Sequence, residues 1–222
     1  MLGRMQIAIG LYDGFAALDA IGPYQVFTVV PGAEVVICAA QRGRLVDEAG
    51  LLELEIAHTF ADVPTPDLLL VPGGVNTRLI VRNGAPIVEW VRAAHPTTTF
   101  TTSVCTGALI LGAAGLLEGL PATTHWCAYD HLRALGAEAT EQRVVFADRI
   151  ATAAGVSAGI DLALALVGRL HGEDVAHAIQ LGIEYDPQPP YDSGAPSKAR
   201  PEIRELVAGI MRDAEAKVLA AG

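Results

Sequence analysis

Thr101-Thr102-Ser103-Val104-Cys105-Thr106-Gly107-Ala108-Leu109-Ile110-Leu111-Gly112 is the stretch on which the reading of this chain turns. Thr97 to Thr102 is β-branched and reads as a strand, and Gly107 to Ala114 is small and aliphatic and reads as a helix. Cys105 therefore stands at a strand-to-helix turn, where the N–H groups that open a helix favour negative charge and so the thiolate. The position suits a buried structural thiol equally well, since free cysteine packs as a small hydrophobe. The neighbouring segments have to decide between the two.

The same alternation extends in both directions. Met5 to Leu11, Glu34 to Ala39 and Asp67 to Val71 read as buried strands. Leu18 to Val30, Pro86 to Ala94, Ala128 to Leu135 (stopped by Gly136), Gly159 to Leu170 and Glu173 to Leu181 carry helical apolar spacing. Gly43 to Ile56 reads as a hairpin with Gly50 in or near its turn, and Arg143 to Ala147 and Arg149 to Thr152 as two short strands around Ala147-Asp148-Arg149. Strands alternating with helices predict an α/β chain with a mostly parallel sheet covered on both faces. Ligands of such sheets sit beyond the carboxyl ends of the strands. Pro72-Gly73-Gly74 and Cys105 both follow such ends, so they are expected to face one crevice. Tyr185 to Pro201, rich in Pro, Asp and Ser, reads as an extended arm. Pro201 to Ala220 reads as an amphipathic helix that docks on its own domain or on a partner. A length of 222 residues suits one domain over 1–222, with 185–200 as the arm and 201–220 as the last helix.

Composition narrows the function classes. Half the chain is hydrophobic and aromatics are few, so aliphatic residues do most of the packing. A net charge of −10 with no dense basic run argues against nucleic-acid binding. Cys38, Cys105 and Cys127 show no paired spacing, which predicts neither a disulfide framework nor a zinc site and fits a reducing cytoplasm. The start of the chain reads as a strand rather than a signal peptide, and no apolar window reaches membrane-spanning length.

A cysteine nucleophile needs thiolate character, a group that moves protons, and donors for the charge that develops on the substrate. No Lys or Arg adjoins Cys105, so the turn itself would have to supply the first. For proton transfer, Asp19 stands in Leu18-Asp19-Ala20-Ile21-Gly22-Pro23, where a lone carboxylate among apolar neighbours is costly unless paired or protonated. An ordinary helix N-cap explains it as well. His125, beside Trp126, is a candidate to orient or deprotonate, with packing as the plainer account. Glu184 and Asp186 head the arm and read more simply as solvated loop charges. Gly73, Gly74 and the amide of Thr106 are candidate donors to an oxyanion. Cys38 and Cys127 read as packing.

Together these segments form a recognisable set. Leu18 to Phe27 with its Asp19, Val71-Pro72-Gly73-Gly74, Val104-Cys105-Thr106-Gly107-Ala108, Ala122-Thr123-Thr124-His125-Trp126 and Ala153-Ala154-Gly155-Val156-Ser157-Ala158-Gly159-Ile160-Asp161 resemble the ThiJ/PfpI superfamily, over nearly the whole chain and in order. Within it the pattern looks most like the isonitrile (isocyanide) hydratases, with Glu184-Tyr185-Asp186-Pro187-Gln188-Pro189-Pro190-Tyr191 as the added cue. The resemblance implies a flavodoxin-like three-layer sandwich, a cytoplasmic homodimer and no metal or organic cofactor. It implies Cys105 as nucleophile on a strained elbow, Asp19 as its acidic partner, Thr106 beside it as part of the site, and Gly73 and Gly74 lining it, with His125 behind. The implied reaction is hydration of an isonitrile to an N-substituted formamide through a thioimidate on Cys105, with Asp19 as general acid/base that first gives a proton to carbon and then takes one from water. Protease-like members carry His directly after the cysteine, and Thr106 in that place argues against peptide cleavage. Regulators with a similar Cys-Thr-Gly run carry a DNA-binding module, which one final helix is not expected to supply. Two readings stand beside the hydratase: a glyoxalase-type or amide-acting enzyme using the same cysteine, and a non-catalytic redox or sensor dimer.

Overall fold

In the computed structural model, which describes residues 4–221, the chain opens with β1 (Met5–Gly10), α1 (Ala17–Phe27) and β2 (Ala33–Ala39). Three short strands, β3 (Gly43–Val46), β4 (Glu53–Ile56) and β5 (His58–Thr59), lead to β6 (Leu68–Val71). Then come α2 (Thr77–Arg82), α3 (Pro86–Ala94), β7 (Phe100–Val104) and α4 (Gly107–Ala113). β8 (Pro121–Ala122), α5 (Tyr129–Ala134), β9 (Glu138–Ala139), β10 (Val144–Ala147) and β11 (Ile150–Ala153) precede α6 (Ala158–His171), α7 (Glu173–Gly182) and α8 (Pro201–Ala221).

The central sheet runs β10-β11-β7-β6-β1-β2-β5, and each pairing is parallel except the β10–β11 hairpin. Helices cover both faces, giving the flavodoxin-like sandwich. Burial on two faces accounts for the continuous apolar runs: Leu68, Leu69, Leu70 and Val71 are wholly buried, as are Ala8 and Ile9 of β1. β3 and β4 form the expected antiparallel hairpin, with Gly50 at φ +74° in its turn.

β7 departs from its expected span. Thr97 and Thr98 stand outside the strand, their hydroxyls donating to the carbonyls of Ala94 (2.8 Å) and His95 (3.0 Å), so pairing begins only at Phe100 and continues to Val104. Side-chain hydroxyls that satisfy nearby carbonyls compete with the sheet for these residues. Deeper in the core, the Thr102 hydroxyl donates to the Leu69 carbonyl at 2.9 Å, and Thr101 shares hydrogen bonds with Thr98 and His95. These partners let a threonine-rich strand stand at the centre of the sheet. The late arm is extended and turn-rich, and Tyr185 ties it to α6 by donating to Asp161 at 2.8 Å. α8 packs against the body along one face. Among the described residues no helix is long and apolar enough to cross a membrane.

Candidate active site

β7 ends at Val104 and α4 begins at Gly107, and Cys105 makes the turn at φ +57°, a left-handed conformation that a residue with a side chain rarely adopts. Such a backbone costs on the order of 1–3 kcal/mol and persists only where its surroundings hold it. Here they do. The Cys105 amide donates to the carbonyls of Ala153 and Ala154 at 3.1 Å, and its carbonyl accepts from the Thr124 hydroxyl at 2.9 Å. β11 and the Thr123–Thr124 segment thereby clamp the elbow from one side. On the other, a side chain at Gly107 would overlap the Val71 carbonyl oxygen, so only glycine lets α4 start against the end of β6.

Asp19 is wholly buried in the first turn of α1 and caps nothing there: the N-cap position belongs to Ala16. Instead its Oδ2 accepts the Gly73 amide at 2.8 Å, while Oδ1 has no hydrogen-bond partner of ordinary geometry. The Gly74 amide donates to Thr106 Oγ1 at 3.0 Å, and Thr106 Oγ1 lies 2.9 Å from Thr77 Oγ1, which is in turn 3.1 Å from the Tyr12 hydroxyl. The two glycine amides expected to face a ligand are thus engaged by Asp19 and Thr106, and they position those groups. The backbone amides that act on the Cys105 sulfur are those of Thr106 and Val156. A Cβ on Gly73 would come within 2.6 Å of the Thr106 nitrogen and 2.9 Å of Asp19 Oδ2, so the pair can converge only on a glycine.

The electrostatics reverse one expectation. The turn was expected to favour thiolate, but burial pushes the Cys105 thiol well above its ordinary value and the Asp19 charge pushes it further, outweighing the two amides. Burial likewise raises the Asp19 carboxyl to about 7, with the Gly73 amide opposing and the Glu48 charge adding to the rise. Helix α4 is too short, and the elbow too dry, for its amides to win. The resting site holds its proton on sulfur beside a carboxyl that titrates near neutrality.

A cavity of about 570 Å³ opens onto Cys105 and Thr106. Asp19 has no surface on it and lies behind the thiol. Glu48 does line it, from the turn between β3 and β4, with its Oε2 accepting the Val75 amide at 3.0 Å; burial raises this carboxyl too. His125, Trp126 and Cys127 line the cavity opposite. His125 Nδ1 accepts the Cys127 amide at 3.3 Å, and burial lowers this imidazole, so it faces the cavity neutral. Cys127, read as packing, is half-buried on the cavity wall, whereas Cys38 is buried in β2 as expected, its thiol pushed up to about 12. Ala208, Met211, Arg212 and Glu215 of α8 close the outer side. Glu184 and Asp186 are exposed and line no part of this cavity. Among the described residues no group of three or more His, Cys, Asp or Glu side chains is arranged to hold a metal ion.

Reasoning from the sequence missed Glu48, Tyr12, Thr77 and the α8 wall. Glu48 sits in a polar turn, Asp47-Glu48-Ala49-Gly50, where a carboxylate reads as solvated. The other three reach the site only through the tertiary fold, and no local pattern marks them.

Comparison with known proteins agrees with this architecture. The chain is 40% identical to the isonitrile hydratase of Pseudomonas putida over 195 residues, 88% of this chain and 85% of that one. It is 30% identical to a deglycase of Thermococcus kodakarensis over 64% of this chain and 84% of the relative. A ThiJ/PfpI family protein from Pseudomonas syringae superposes with a TM-score of 0.89 at 37% identity, covering 97% of this chain and 91% of that structure. The DJ-1/PfpI family model matches residues 5–169, which carry the elbow, the buried acid and the glycine turn, and the chain belongs to the DJ-1/PfpI family.

Proposed function

We propose that this chain hydrates an isonitrile to the N-substituted formamide, with Cys105 as nucleophile. The observation that carries the reading is the buried pairing of a protonated thiol with a carboxyl that titrates near 7. An isonitrile carbon must gain both a nucleophile and a proton, and this pair holds both. The 40% identity to an isonitrile hydratase supports the same choice of substrate.

In the first step the Asp19 carboxylate takes the thiol proton as sulfur bonds to the isonitrile carbon. The carbon's electron pair then takes that proton from Asp19, leaving a thioimidate on Cys105 and Asp19 again ionised. One group serving as base and then acid is efficient because its pKa lies close to the working pH. Water adds next. Asp19 is sealed behind the sulfur, whereas the Glu48 carboxyl faces the cavity, so Glu48 takes the proton from water and passes it to nitrogen. The C–S bond of the resulting adduct breaks, the hydroxyl proton leaves with sulfur, and the formamide is released. Thr106 holds the glycine turn in register through its hydroxyl. A buried, protonated thiol is slow to oxidise, which weighs against a redox sensor.

Incubation with an aryl isonitrile, following formamide absorbance, tests the reading. A mass increment of one isonitrile on the Cys105 peptide is expected in the quenched reaction. Turnover that survives Cys105→Ala removes the covalent mechanism.

A further inference from the structure

The family model ends at residue 169, inside α6, yet one wall of the reaction cavity is built from α8, which begins at Pro201. The core of the fold supplies the reacting groups, and an appended helix decides how much room stands in front of them.

α8 is built for that task. Ile203, Val207, Met211, Ala214 and Val218 recur at helical spacing and form its partly buried strip, while Leu206 and Ile210 on another face are exposed. Of the strip, Met211 reaches the cavity, together with Ala208 one turn away. Across from them stand Val75, Leu109, Trp126 and Val156. The space between these side chains suits an aliphatic or aromatic group, while Glu48, Arg78, Arg212 and Glu215, which also line the cavity, bring charge of both signs to its border. Among the described residues a single side-chain link joins α8 to the body: Arg78 of α2 and Glu215 form an ion pair at 2.7 Å, mostly shielded from solvent at both ends. A helix held by a thin apolar strip and one ion pair can yield without disturbing the elbow, because nothing in the Cys105 clamp involves it.

We propose that α8 is the substrate-selecting wall of the site, with Met211 and Ala208 limiting the bulk of the apolar group attached to the reacting carbon and the Arg78–Glu215 pair latching the wall in place. This rests on the reading of Cys105 as the nucleophile toward a small neutral molecule. The preferred substrate carries a compact apolar group, and the limit on its size is set outside the part of the chain that does the chemistry.

Two measurements on the full chain test it. The first compares turnover of methyl and cyclohexyl isonitrile. The second, which needs no turnover, compares the rates at which iodoacetamide and N-benzyl iodoacetamide alkylate Cys105, read on the Cys105 peptide by mass spectrometry at a common alkaline pH. Met211→Trp is expected to lower the bulky-to-small ratio about tenfold in both assays, and Met211→Ala to raise it, in keeping with what one hydrophobic contact contributes to discrimination. Glu215→Gln, which removes the latch and leaves the packing strip intact, is expected to raise the ratio. Both positions are partly exposed, so the three variants should fold, and circular dichroism checks that. If the alkylation ratio is the same in all three folded variants as in the parent, α8 does not select and the proposal is overturned. If that ratio moves but no isonitrile is hydrated, the wall stands and the hydratase reading fails.

Discussion

On the floor of the cavity the polar groups are interlocked: Gly73 holds Asp19, Gly74 holds Thr106, Thr106 meets Thr77, and Thr77 meets Tyr12. On the opposite side α8 is held by packing and one ion pair. The floor is buried and over-determined, and the wall is half-exposed and singly latched. A reaction that moves a proton between sulfur, carboxyl and carbon needs positions fixed to fractions of an ångström, because small displacements of reacting groups are costly in rate. Choice among apolar substituents needs only volume. The contrast says that substitutions in the floor should depress every substrate alike, whereas substitutions in the wall should reorder substrates.

The strongest way to break that contrast is at Cys105. Cys105→Ala is expected to abolish turnover of small and bulky isonitriles equally, to the background of the uncatalysed reaction. Residual activity that depends on substituent size would mean that the cavity catalyses without the thiol. Next comes Asp19→Asn, which removes the proposed proton carrier and keeps the shape. A loss of about 10²–10⁴ in kcat, uniform across substrates, is expected. The same variant has a stability counterpart. The folded Asp19 carboxyl lies at about 7 against an ordinary 3.8, so the fold favours the neutral acid. Its contribution is present below about pH 4 and is lost as pH rises through about 7. Asn stays neutral, so the difference in Tm between Asp19→Asn and the parent should grow in the variant's favour from pH 4 to 7. A constant difference would remove Asp19 as the source.

In the proposed mechanism Glu48 separates the two halves of the reaction. Glu48→Gln leaves the thiol and Asp19 in place, so the thioimidate should still form but break down about 10- to 100-fold more slowly, as expected for loss of a general base. The measurement is the occupancy of the Cys105 peptide adduct at steady state, which should rise. Removing this charge also relieves its repulsion on Asp19, so the acid limb of the pH–rate profile should move to lower pH. An unchanged adduct level would return the water step to Asp19.

How much of this was legible before the fold was known depends on how local the signal was. Cys105 and Pro72-Gly73-Gly74 follow strand ends, and strand ends converge by topology, so their meeting was readable from element order alone, whereas Asp19 as the acid beside the thiol was implied only by the family resemblance. Thr106 was readable because it adjoins the cysteine. The ionisation of the thiol was not, because a local turn argument weighs the amides and cannot weigh the desolvation that the surrounding core imposes. The job of the glycine amides was hidden for a related reason. Seen alone they are free donors, and only the buried approach of α1 shows that Asp19 takes one of them. α2 went unread: it has six residues and directly follows the glycine turn. Glu48 and Met211 were invisible as site residues because a turn and a distant helix carry no pattern that says which cavity they border.

The smallest effect tests how far the floor extends. The Tyr12 hydroxyl donates to the Pro72 carbonyl at 2.9 Å and touches neither thiol nor cavity. Burial holds this phenol far above its ordinary value, so it stays protonated at any working pH and contributes only its hydrogen bonds. Tyr12→Phe leaves the Pro72 carbonyl and the Thr77 hydroxyl short of a partner, and a cost of about 1–3 kcal/mol in stability is expected. The glycine turn then loses one of its supports, and with it some of the register between Asp19 and Thr106. Activity should fall a few fold, on the order of 1 kcal/mol in the barrier, and by the same factor for methyl and cyclohexyl isonitrile. Loss of stability without any loss of activity would place the boundary of the floor at Thr77. A change in the small-to-bulky ratio would be more damaging, because it would mean that floor and wall are one deformable unit and that selection does not belong to α8 alone.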